Sequence, residues 1–170
     1  MRVSTMSREP VKIIADILSH EMNLPPERIF IYNDGRVLPN DDGLYIVLYV
    51  NSRPPYGART YYKGEPSNLI EVQTLNVKET IIASAVSKNT DARTRSYEVQ
   101  MAINSTFAQQ KQEEFGCHIS MIAPVRDMSF LEETARLNRF DTEITILTVY
   151  EKETPVDYFD SVDTESSFQP

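Results

Sequence analysis

LIEVQTLNVKETIIASAVS, residues 69–87, decides the fold. Side chains of a strand alternate between its two faces, so residues two apart share a side. From Leu75 onward, Leu75, Val77, Ile81, Ala83 and Ala85 fall on one face, and Asn76, Lys78, Thr80 and Ser84 fall on the other. Upstream of Leu75 the apolar residues Ile70 and Val72 take the opposite parity, and a bulge near Gln73-Thr74 is expected to reconcile the two halves. The run far exceeds the usual strand of about 5–6 residues. A strand this long is expected to reach past its own domain and to add to a neighbour's sheet.

Working outward, Leu44 to Asn51 is apolar on both faces and reads as a central strand. Arg28-Ile-Phe-Ile-Tyr32 is a short strand, closed by the turn signal Asn33-Asp34-Gly35 and followed by a second turn at Asn40 to Gly43. Pro54-Pro55, Tyr56-Gly57, Gly64 and Pro66 mark the stretch up to Asn68 as an extended loop or ragged hairpin. A first helix is predicted over Ser7–Met22, with Ser7 as N-cap, Pro10 in the first turn, and Ile13, Ile14, Ile17 and Leu18 as its apolar face. Pro25-Pro26 ends it. A second helix is predicted from Asn89-Thr90-Asp91 to Gly116, with Val99, Ala102, Ile103, Thr106 and Phe107 as its stripe. Cys117 to Ala123 is a strand stopped by Pro124. Asp127 to Asn138 is open between a short helix and an irregular crossing, and Asp141 to Glu151 is the last strand. The order implies one α+β domain over 1–154, a largely antiparallel or mixed β-sheet packed against two main helices. Residues 155–170, rich in aspartate and without Lys or Arg, read as a flexible acidic tail until a partner orders them.

A chain of 170 residues, 41% hydrophobic and 25% charged, suits one globular core. No apolar run approaches the roughly 20 residues that span a bilayer, and MRVSTMSREP lacks the apolar centre of a signal peptide. Cys117 is the only cysteine, which excludes an intrachain disulfide and makes a reducing cytoplasm the expected setting. The net charge of -8 places 17 basic against 25 acidic residues. Nucleic-acid binding gathers cations into a stripe because counterion release supplies the affinity, and that pattern is missing. An acidic surface suits a wall that DNA passes without being held, but most acidic proteins have no such role, and charge alone does not separate the two cases.

Little in the sequence carries chemistry. His20 falls in a last helical turn, where a partly positive ring complements the dipole, and His118 lies in a strand. Cys117 beside His118 makes a poor dyad, because adjacent strand residues point to opposite faces. Asp34, Asp41 and Asp42 lack the alternating spacing and the closing Glu of a calcium loop. Glu132 and Glu133 are adjacent and cannot oppose each other across a substrate. No phosphate-loop, nucleophile-elbow or zinc-protease motif occurs. Catalytic, cofactor and metal residues are therefore left unassigned, with Asp127, His118 and Arg126 the nearest approach to a hydrolase or transferase site. Arg93 and Arg95 open the second helix, where the dipole disfavours cations, and Arg136 and Arg139 flank the last strand. All four read either as solvated surface or as cations meeting acidic groups of a neighbouring subunit. Lys78 and Thr80, on the polar side of the long strand, complete the candidate interface.

The order of segments resembles the neck-terminator or tail-terminator-like proteins of tailed bacteriophages. The carrying stretches are RIFIYN at 28–33, GLYIVLYV at 43–50, VQTLNVKETIIASAVSKNTDARTRSYEVQMAINS at 72–105 and APVRDMSFLEETARLNRFDTEITILTVYE at 123–151. Gln73-Thr74 matches the start of that family's long strand, Asp91-Ala92-Arg93 its helix entry, and Arg139-Phe140-Asp141 the lead into its last strand. The family often carries tryptophans before that strand, and this chain has none. The resemblance implies a non-enzymatic virion subunit, assembled in the host cytoplasm into a self-associating ring, usually a hexamer. The ring would end the tail, contact the tube or sheath protein below and the head-side connector or collar above, and leave a channel for genomic DNA, with no membrane involved. The alternative is an adaptor or minor structural protein that binds one partner, using residues 157–170 as its docking peptide.

Overall fold

The computed structural model describes residues 2–4, 8–65, 68–132 and 135–156. In chain order the elements are β1 (Arg2–Ser4), α1 (Pro10–Glu21), a 3-10 turn (Pro26–Arg28), β2 (Ile29–Ile31), β3 (Tyr45–Ser52), β4 (Pro55–Lys63), β5 (Ile70–Ser87), α2 (Asp91–Arg95), α3 (Glu98–Ile103), α4 (Thr106–Phe115), β6 (His118–Ile122), β7 (Arg126–Asp127), β8 (Phe130–Glu132) and β9 (Ala135–Pro155). The central order is β1-β9-β5-β3-β2; β4 pairs with β5, and β6, β7 and β8 pair with β9. All pairs are antiparallel except β2 with β3, so the sheet is mixed and the fold is α+β.

One face of the sheet is covered by helices. Ile13, Ile14, Ile17 and Leu18 are fully buried, as their spacing predicts. They pack against Ile46 and Leu48 of β3, Ile81, Ala83 and Ala85 of β5, and Ile144 and Ile146 of β9. Helix α1 begins at Pro10 behind an extended Glu9 that makes no side-chain cap, and Ser7 lies outside the described residues. The expected single second helix is broken into α2, α3 and α4. Polar side chains near the breaks compete for the backbone: Asn104 Nδ2 donates to the Gln100 carbonyl at 2.9 Å, and the Ser105 hydroxyl accepts from Ala108 N–H at 3.0 Å to start α4. Gly116 closes α4 with φ 61°, the left-handed cap expected of it.

The sheet departs from expectation in several places. β5 runs without interruption from Ile70 to Ser87 in unbroken register with β9, so no bulge occurs at Gln73-Thr74. The irregularities lie in the neighbours, between Val50 and Ser52 and between Pro55 and Gly57. The change of apolar parity is a change in what covers the strand. Val72 is fully buried on the face away from the helices, flanked in register by Tyr61 and Glu153, whose carboxylate Lys63 bonds. β5 is also paired along both flanks, by β3 and β4 on one side and β9 on the other, so its backbone is not free to add to another sheet. Residues 55–63, expected as loop or ragged hairpin, form a nine-residue strand. β9 starts at Ala135 and ends at Pro155, well beyond Asp141–Glu151, and the ambiguous 127–138 stretch supplies short strands to it in place of a helix. β1 was not foreseen; it pairs Arg2 to Ser4 with Glu153 to Glu151. Of the expected acidic tail, 155–170, Pro155 ends β9 and the Val156 N–H donates to the Leu69 carbonyl at 2.9 Å, so these two residues belong to the domain; residues 157–170 lie outside the described residues.

Candidate functional site

β5 is two strands in one. From Val77 to Ser87 it is sandwiched between β3 and β9 beneath the helices, and almost every residue is buried. From Ile70 to Asn76 it lies beyond the helical layer, between β4 and the end of β9, with only Val72 buried. Leu75, expected in the core by parity, is 40% exposed for this reason. At the far end, where β4 gives way to β5, Gly64 has φ +104°, and a Cβ there would collide with the Asn68 carbonyl oxygen. The projecting half forms an arm with a small set of uncovered apolar groups, Tyr56, Tyr62, Leu75 and Val149. β4 contributes nothing to the buried core.

A buried carboxylate marks the junction of body and arm. Glu79 is fully buried on the helix-side face, one strand period from Val77 and Ile81. Charge in that position requires partners. Arg53, from the corner between β3 and β4, donates through Nε to Glu79 Oε2 at 3.1 Å, and the Tyr150 hydroxyl donates to Oε1 at 2.9 Å. Burial first, and then the bond to the Glu79 carboxylate, hold the Tyr150 phenol above its ordinary value. Lys78 N–H donates to the Pro54 carbonyl at 3.0 Å at the same corner, where β5 passes from β4 to β3. The sequence signal for this cluster was available: a Glu on the apolar parity of a strand.

At the opposite end, on the helix-free face, lies an apolar groove of about 550 Å³. Tyr45, Val47 and Tyr49 of β3 form its floor with Val86, and Tyr32, Leu38 and Leu137 form its walls. Phe30, Tyr45 and Val86 make a small satellite cluster beneath it. The Phe30 and Tyr45 rings meet edge to face at 5.9 Å, and Tyr32 meets Tyr49 at 6.5 Å. Burial raises the Tyr45 phenol, with the nearby Arg139 charge opposing. Ser84 also lines the groove; it is 3% exposed and its hydroxyl has no hydrogen-bond partner among the described residues. Such a group is costly to leave unmet. The loop forming one wall is pinned by Arg28 forking onto Asp41 at 2.7 and 2.6 Å and by Arg36 Nε on Asp34 at 2.7 Å. Two of the three loop aspartates thus serve the turn: Asp34 and Asp41 accept from backbone N–H groups and from arginines.

The residues singled out from sequence as an interface do not form one patch. Arg95 forks onto Glu98 and donates to the Met22 carbonyl at 2.6 Å, locking the start of α3 to the end of α1. Arg139 forks onto Asp141 at 2.9 Å through both nitrogens and borders the groove. Both therefore have partners within their own chain. Arg93 is exposed and its side chain makes no bond among the described residues. Lys78 is exposed on the helix-free face, and Thr80, two residues on, is buried there. The side chain of Arg136 lies outside the described residues.

The loosely assembled catalytic candidates are not brought together. His118 pairs with Leu147 and Arg126 with Asp141, six residues apart along β9, or about 20 Å. His118 and Cys117 border a shallow cavity of about 460 Å³ beside α4, and burial pushes the Cys117 thiol up, away from the reactive thiolate. His20 sits in the last turn of α1, stacked on Phe107 at 3.8 Å. Among the described residues no three His, Cys, Asp or Glu side chains are placed to hold a metal ion, and no helix is long and apolar enough to cross a membrane. No family profile and no curated protein matches the chain.

Proposed function

We propose that the chain is a structural subunit of a tailed bacteriophage, a protomer of a ring at the neck or head-proximal end of the tail. The observation that carries this reading is the arm. Half of β5, all of β4 and the end of β9 are built as regular sheet, yet they add almost nothing to the core of their own chain. Ordering backbone costs about 1–2 kcal/mol per residue, and an isolated sheet extension recovers little of that by burial. A segment of this kind is sustained by what it meets, and the exposed Tyr56, Tyr62 and Leu75 are the side chains it offers. Segment order and the matched stretches supply the phage assignment, and in that setting the arm meets copies of the same subunit. The ring, hexameric by the same resemblance, ends the tail, joins it to the head-side connector, and passes DNA through a channel that the net charge of -8 keeps from binding it.

Light scattering and negative-stain electron microscopy of the purified protein, alone and mixed with tail tubes, test the proposal. Closed rings of uniform subunit number are the expected result. A chain that stays monomeric at high concentration and decorates no tube end would overturn it.

A further inference from the structure

We propose that the groove on the helix-free face of one copy receives the arm of a second copy, so that the ring closes by arm-into-groove contacts. This rests on the self-association proposed above and names the two surfaces that meet. Leu75 and its register partners Ala58 and Tyr150 lie on the helix-side face of the sheet, beyond the helices. The groove lies on the other face, around Val47, Ser84 and Val86. Leu75 and Ser84 are nine residues apart along β5, about 30 Å, and on opposite faces, so one copy cannot satisfy itself.

Charge supports the same pairing. Lys152 stands opposite Gln73 on the helix-side face of the arm, one strand period from the Leu75–Tyr150 pair. Glu143 stands opposite Ile82, in the same cross-strand row as Tyr49 of the groove, on the helix-free face. Both are half-buried, and among the described residues neither side chain makes an ion pair or hydrogen bond. Each lies near its apolar patch, with opposite sign, Lys152 one period along the strand and Glu143 two strands across from Tyr49. Seating Leu75 and Tyr62 against Tyr45, Val47 and Tyr49 brings Lys152 toward Glu143 and places polar groups of the arm near the unmet Ser84 hydroxyl. Placement on opposite faces of the sheet disfavours the reciprocal exchange of two arms that would close a two-fold dimer. Their union is heterologous, and it generates a ring where the rotation closes.

Charge reversal tests this directly. In sedimentation and light scattering, Leu75→Asp is expected to weaken self-association at least about tenfold, and Lys152→Glu or Glu143→Lys alone by several-fold. The double variant Lys152→Glu, Glu143→Lys is expected to recover assembly, which a merely structural role of either residue would not produce. Circular dichroism of each variant checks that it folds. As an independent readout, a mixture of Leu75→Cys and Val47→Cys chains, each also Cys117→Ser, is expected to form a disulfide-linked heterodimer. Rings that persist unchanged through all the substitutions, with no cross-link, overturn the arm-into-groove contact and leave the ring reading standing. Cross-linked open filaments support the contact and overturn the ring. A wild-type chain that neither associates nor cross-links overturns both.

Discussion

The two halves of β5 share one backbone and differ in almost everything else. Between Val77 and Ser87 every residue but Lys78 and Ile82 is buried, the helices cover one face, and polar residues such as Ser87 and Glu79 are tied into bonds. Between Ile70 and Asn76 the same strand has pairing on both flanks but cover on neither face except at Val72. Backbone pairing alone is therefore enough to continue a strand geometrically, while burial decides which part of it holds the molecule together. The burial that stabilises the chain is concentrated in the body half, and of the arm half of β5 only Val72 is buried.

That contrast can be broken most directly by truncation in each half. Ile81→Ala removes a fully buried side chain from beneath α1 and is expected to cost about 3 kcal/mol in urea unfolding, while Leu75→Ala, at a site 40% exposed, is expected to cost under about 1 kcal/mol. Equal costs would show that the arm packs as part of the core. A smaller effect is expected at the junction. Arg53→Met leaves the Glu79 carboxylate with the Tyr150 hydroxyl alone, and a loss of about 1–2 kcal/mol is expected, moderated because the Arg53 side chain is 53% exposed. Thermal melts of Arg53→Met and of Arg53→Met with Glu79→Gln sharpen the comparison: the second change is expected to restore part of the loss by removing the unpaired charge. The smallest effect concerns the groove wall. The Arg28 hydrogen bonds hold the Asp41 carboxyl below its ordinary 3.8, and the Arg36 backbone N–H does the same for Asp34. A depressed carboxylate contributes stability that is present above 3.8 and fades as pH falls through the folded value. Loop signals followed by NMR are expected to broaden or shift below about pH 4 while those of β5 stay unchanged; simultaneous loss of both would argue that the wall is no separate unit.

Much of the body was legible in the sequence because burial there is periodic. Ile13, Ile14, Ile17 and Leu18 repeat at helical spacing, Ile81, Ala83 and Ala85 at strand spacing, and Gly116 stands where a helix must end. Leu75 shows the limit of that reasoning: parity tells which face a side chain takes, and says nothing about how far the helices extend over that face. Residues 55–63 were obscured by Pro54-Pro55 and Gly57, since their strand character comes from pairing with β5 and not from local preference. The candidate interface arginines stand out by charge and by their place at the ends of elements, neither of which shows where a partner lies. Glu98, three residues from Arg95, and Asp141, two from Arg139, take those charges up within the chain. Glu79 is hidden from a pattern reading because a single acidic residue hardly alters an apolar pattern. The groove could not be read at all, because it joins β2, β3, β5 and β9 with the loop at Leu38.

The pairing of β5 with β9 also bears on how the molecule is made. Glu79 and Tyr150, joined across these strands, are 71 residues apart in sequence. Contacts of such separation form slowly, because a long loop must close before any of them is rewarded. A ribosome must release residues through Pro155 before the whole of β9 can enter between β5 and β6, so the helices and β3 wait on a sheet that lacks its longest strand. During that interval β5 has one open flank, and the rate at which β9 arrives sets how long nascent copies can pair with each other wrongly.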